Sequence, residues 1–116
     1  MNKRKRGRKF GRKRDQRKAF MRDLAEALVK HGKIETTEAR AKELRPFIEK
    51  WITKSRKNTL HSRRMLGKIF SDTTGTKLIN EIAPKFKDRP GGYTRIIKKA
   101  PRKGDAARRA VIEFVE

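Results

Sequence analysis

The sequence predicts an α+β domain whose helices pack on a small mixed sheet, preceded by a basic N-terminal extension. Apolar residues recur at helical spacing from Phe20 to Phe86, and the period shortens to two after Gly92. A chain of 116 residues has room for one such domain, here 15–116. Residues 1–14 stand apart from it: Met1 aside, only Phe10 is apolar, and nine of them are Lys or Arg. Such a segment cannot offset its ordering entropy by burial, so it is expected to be disordered until a polyanion neutralises it.

The elements are expected in the order α-β-α-α-α-β-β. Asp15 offers an N-cap, Phe20, Leu24 and Leu28 fall on one helical face, and Gly32 supplies the stop. Lys33 to Thr36 is short and β-branched, a brief strand. Thr36 or Thr37 caps the second helix, with Glu38 in its first turn. The stripe Leu44, Phe47, Ile48, Trp51, Ile52 keeps its phase across Pro46. One kinked helix is therefore expected, with two abutting helices as the alternative.

Asn58 or Thr59 opens a third helix carrying Leu60, Leu66, Ile69 and Phe70. Ser71 to Gly75 reads as a loop of capping residues. A fourth helix follows with Leu78, Ile82 and Phe86 at i, i+4 spacing, ending near Pro84. Lys87 to Gly92 is turn chemistry. Tyr93 to Lys98 and Ala110 to Val115 read as an antiparallel strand pair, with Ala110, Ile112 and Phe114 on one face.

Charge narrows the function. The chain has 35 Lys plus Arg against 13 Asp plus Glu, a formal net charge of +22. A polyanionic partner is the natural explanation of such an excess. The excess is also segregated. Residues 1–18 carry eleven bases and one acid, 19–53 seven bases and six acids, and 54–70 six bases and no acid. Residues 93–116 carry seven bases and three acids. The nearly neutral segment is expected to face solvent or protein, and the basic blocks a polyanion.

No catalytic constellation is present. The absence of Cys excludes a disulfide framework and a Cys-based zinc site, and His31 and His61 stand apart. Carboxylates such as Glu26 and Glu49 lie at i, i+4 from Lys30 and Arg45, the spacing of surface ion pairs, not of a general acid and base. No enzyme activity, metal, cofactor or small-molecule substrate is expected, and no apolar run reaches the roughly 20 residues of a membrane span.

Phosphate contact is the chemistry these residues suit, because Lys and Arg displace counterions and Arg adds forked hydrogen bonds and stacking. The expected contacts in the extension are Lys3, Arg4, Lys5, Arg6, Arg8, Lys9, Arg12, Lys13 and Arg14, continued by Arg17 and Lys18. Arg56, Lys57, Arg63 and Arg64 serve in the central block. Tyr93, Arg95, Lys98 and Arg102 serve near the strands. With no zinc finger, heptad-linked basic region or ribonucleoprotein aromatic motif, recognition is expected through backbone and shape. The alternative is a sequence-tolerant architectural protein on duplex DNA.

Lys33-Ile34-Glu35-Thr36-Thr37, Arg40-Ala41-Lys42-Glu43-Leu44-Arg45-Pro46 and Gly91-Gly92-Tyr93-Thr94-Arg95-Ile96 resemble the bacterial large-subunit ribosomal protein seventeen family. The run Lys5 to Arg12, Gly104 to Ala107 and Ile112 to Val115 extend the resemblance over nearly the whole chain. It implies an α+β domain in the cytoplasm, bound to large-subunit ribosomal RNA near the polypeptide exit region. It also implies neighbouring ribosomal proteins as partners, among them the small thirty-second protein. Two departures stand out: Ala107-Arg108-Arg109-Ala110 replaces the usual Ala-Pro-Met-Ala, and the early His of relatives is missing.

Overall fold

The computed structural model describes residues 14–101, 103–104 and 107–115. The expected extension therefore lies outside the described residues, apart from Arg14. Helix α1, Arg14–His31, holds Asp15 inside its first turn, where a carboxylate favours the helix dipole. Gly32 ends it at φ +82, a left-handed conformation that costs glycine little, and donates its N–H to the Leu28 carbonyl at 2.8 Å.

Strand β1 is Lys33–Thr37, and Thr37 caps α2, Glu38–Lys57, by accepting the Arg40 N–H at 3.3 Å. Pro46 lies inside α2 without ending it. It is exposed, so the carbonyl that loses its donor lies on the solvent side. At the end of α2, two adjacent residues turn the chain. Asn58 takes the left-handed conformation at φ 48, and Thr59 caps α3, Leu60–Ile69, accepting the Ser62 N–H at 3.1 Å.

The expected loop from Ser71 to Gly75 shrinks to a single residue. Ser71 is an N-cap, and α4 begins at once as Asp72–Lys77. Helix geometry holds here because the Ser71 N–H is taken by the Glu26 carboxylate of α1 at 2.9 Å, and Gly75 packs at Leu66. The helix passes through a π turn, Leu78–Ile82, into a final turn α5, Ala83–Lys85. Pro84 supplies no N–H to the preceding turn, and the wider π turn accommodates it.

Strands β2, Thr94–Lys99, and β3, Arg109–Phe114, complete a sheet of order β1-β3-β2. The α+β class stands, but the sheet is wholly antiparallel, not mixed. β1 and β2 run the same way, yet β3 lies between them, so no parallel pair forms. Ile34, Ile96 and Ile112 make one row on the helix-facing side, while Glu35, Ile97 and Val111 make the corresponding row on the other.

The core gathers Leu28, Leu44, Ile48, Ile52, Leu66, Leu78, Tyr93 and Ile112, each under 2% exposed. Burial of each such aliphatic side chain stabilises by about 1.5–3 kcal/mol. Trp51 joins it edge-on to Phe70, with ring centroids 5.8 Å apart. Layering α2 between the sheet and α3 sets where the charged faces emerge.

Candidate nucleic-acid interface

No Asp or Glu stands between Glu49 and Asp72. That stretch folds as the second half of α2, the Asn58–Thr59 corner and α3. Helix α3 turns Ser62 and Leu66 into the core, so Leu60, His61, Arg63, Arg64, Gly67 and Lys68 emerge together on its outer face. Among the described residues none of Lys50, Lys54, Lys57, Arg63, Arg64 or Lys68 forms an ion pair. Arg63 is steadied by Asn58, its Nε donating to Oδ1 at 2.9 Å. Lys50 and Lys54 hold their ammonium groups 5.6 and 5.8 Å from the Trp51 ring centre.

Elsewhere, glutamates fix one segment to another. Glu49 accepts from the Thr94 N–H at 3.2 Å and its hydroxyl at 3.0 Å, and lies 3.7 Å from Arg45 as the spacing predicts. Glu26 does not pair with Lys30; it accepts the backbone N–H of Ser71. Glu35 bridges Lys99 and Arg109 at 3.8 and 2.9 Å across the sheet. Glu38 pairs with Lys42 at 3.2 Å and Lys98 at 3.6 Å. The hydrogen bond from Lys42 holds the Glu38 carboxyl below its usual pKa against the opposing effect of burial, and the charges of Lys42, Lys98 and Arg108 add to it.

The expected contact residues divide accordingly. Lys3, Arg4, Lys5, Arg6, Arg8, Lys9, Arg12, Lys13 and Arg102 lie outside the described residues. Arg14 and Lys18 are exposed on the first turns of α1, with Arg17 half-buried. Lys57, Arg63 and Arg64 are exposed and gather at the end of α2 and on α3. Arg95 is exposed but donates to Glu113 at 2.7 Å, and Lys98 is tied to Glu38.

Two of the expected residues make contacts within the fold. Tyr93 has no exposed surface, so its ring cannot stack on a base; it packs on Phe86 at 5.1 Å between centroids. Its hydroxyl lies 3.0 Å from the Thr53 hydroxyl and accepts from Arg56 at 2.8 Å. Arg56 also donates to the carbonyls of Arg89 at 2.7 Å and Lys87 at 2.8 Å. It is a clamp between α2 and the turn before β2.

Lys87, far along the chain from the central basic block, comes beside it in the fold. With Arg56 and Lys57 it lines a groove of about 480 Å3 floored by Ile79, Ala83 and Pro84. Lysine within a turn is unremarkable, and its distance in sequence from Lys57 hides their meeting. Among the described residues no three His, Asp or Glu side chains meet as metal ligands would, and no helix is long and apolar enough to cross a membrane.

Comparison with known proteins follows the same direction. The family model for ribosomal protein L17 matches residues 20–115. The large ribosomal subunit protein bL17 of Gemmatimonas aurantiaca is 53% identical over 116 residues, covering 99% of this chain and 98% of that protein. The proteins of the same name from Staphylococcus carnosus and Clostridium botulinum are each 51% identical, over 93% of this chain and 98% and 96% of their own lengths.

Proposed function

The chain belongs to the ribosomal protein L17 family, and on that premise we propose how it is held in the large subunit. Members of the family are structural ribosomal proteins, not enzymes, and this chain is a component of the large subunit with rRNA and ribosomal proteins as its partners. It binds large-subunit rRNA through phosphate and shape contacts. The outer face of α3, the end of α2 and the start of α1 meet the sugar–phosphate backbone.

The observation that carries this reading is the acid-free stretch between Glu49 and Asp72, whose exposed cations have no ion-pair partner among the described residues. An unpaired cation gains most by displacing counterions from phosphate, whereas a paired one must first lose its acid. Lys57, Arg63 and Arg64 are the principal contacts. Lys3, Arg4, Lys5, Arg6, Arg8, Lys9, Arg12, Lys13 and Arg102 extend the surface by charge, and Arg95 and Lys98 contribute less because acids already hold them. The family resemblance adds a cytoplasmic setting near the polypeptide exit region, with the small thirty-second protein among the neighbours.

Salt titration tests the extended surface. The logarithm of affinity for a large-subunit rRNA fragment is expected to fall with the logarithm of salt at a slope reporting on the order of ten phosphates. A slope matching only two or three contacts contradicts it.

A further inference from the structure

A second cleft lies away from the α3 face. It has a volume of about 660 Å3 and opens between the end of α1, the π turn and α5, and the end of β3. That size falls within the range of about 300–1,000 Å3 typical of small-molecule sites. Its floor is apolar: Val29, Ile82 and Phe86 are buried, and Phe114 and Val115 are half-buried. Lys30, Lys77 and Lys85 make its rim cationic, beside His31, and Glu81 is the one carboxylate lining it among the described residues. Lys77 is fixed there, its Nζ donating to the Lys30 carbonyl at 3.1 Å. Glu81 is exposed and makes no hydrogen bond or ion pair among the described residues.

We propose that this cleft receives one unpaired nucleotide of the large-subunit rRNA, its base on Phe114 and its flanking phosphates on Lys30, Lys77 and Lys85. The proposal rests on the rRNA-binding reading and adds a second contact of a different kind. Single-stranded RNA is recognised by stacking splayed bases on aromatic rings and hydrogen-bonding their edges. The half-buried Phe114 ring, backed by Phe86 at 6.3 Å between centroids, provides such a platform. The Glu81 carboxylate accepts the N–H groups of a base edge, which the lysines cannot do. Three lysines around an apolar floor suit a base flanked by phosphates. A peptide filling the same cleft would have to be acidic on both sides of an apolar anchor.

The test uses the full chain assembled into large subunits, with the photoreactive residue p-benzoylphenylalanine in place of His31, an exposed rim residue to which no contact is assigned. A second preparation carries it in place of His61, exposed on the outer face of α3. The His31 probe is expected to crosslink to rRNA at an unpaired nucleotide. Adding Phe114→Leu, which keeps an apolar side chain and removes the ring, is expected to lower the yield about tenfold, the loss of one base–aromatic contact. Lys77→Glu, on the rim and outside the core, is the second variant and is expected to lower it as well. Crosslinks to a ribosomal protein or to paired RNA overturn the proposal, as does a yield that neither variant changes. Silence at His31 with RNA crosslinks at His61 overturns the cleft alone; silence at both overturns the rRNA-binding reading too.

Discussion

Arg56 shows how a basic residue in a basic block can belong to the fold. Its guanidinium reaches two carbonyls and the Tyr93 hydroxyl, three acceptors that no single ammonium can span in the same geometry. Arg56→Ala is expected to destabilise the protein by about 1–3 kcal/mol. Arg56→Lys, which keeps the charge, is expected to lose most of that, as read by urea unfolding. Wild-type stability in Arg56→Lys would show that the fork is ornamental. None of this was legible beforehand, because the acceptors lie 31 to 37 residues further along the chain. The same distance hid Glu26 and Glu49, whose backbone partners stand 45 residues away. Sequence spacing paired Glu26 with Lys30, four residues along, since only local partners are visible in a sequence.

Elements were legible where local chemistry decides them. The Gly32 stop, the Thr37 cap, continuity of α2 through Pro46 and the strand pair all follow from nearby residues. The start of α4 did not, because a side chain from α1 holds Ser71. Nor did the antiparallel sheet, which depends on where β3 inserts. The first turn of α2 carries a pH dependence. Because Lys42 and its neighbours hold the Glu38 carboxyl below the ordinary value of 4.5, its charge stabilises the folded state above that pH. The contribution is lost as pH falls from 4.5 through the depressed value in the folded protein. Thermal midpoints of the protein and of Glu38→Gln should therefore differ at neutral pH and converge in acid. A constant difference across that window would remove Glu38 from the cause.

Across the whole molecule, charge sorts by whether it has a partner. Glutamates join α1 to α4, α2 to β2 and the strands to one another, while the cations between Glu49 and Asp72 have no acid partner among the described residues. Segregation was visible in the sequence as counts. Which cations remain available was not, since Arg95 and Lys98 look as unbalanced in the chain as Arg63 and Arg64 do. Paired and unpaired cations can be compared at equal charge. Arg63→Gln with Arg64→Gln removes two unpaired cations; Arg22→Gln with Arg45→Gln removes two that lie 3.8 and 3.7 Å from acids. All four are exposed, so neither pair is expected to shift stability by more than about 0.5 kcal/mol. The decisive measurement is the affinity of the two double variants for the same large-subunit rRNA fragment at one moderate salt concentration. Loss of affinity is expected to be at least about tenfold greater for the Arg63 and Arg64 variant, as phosphate contacts removed from one surface require. Equal losses from the two would mean that net charge alone binds the RNA and that the unpaired face has no special part in it.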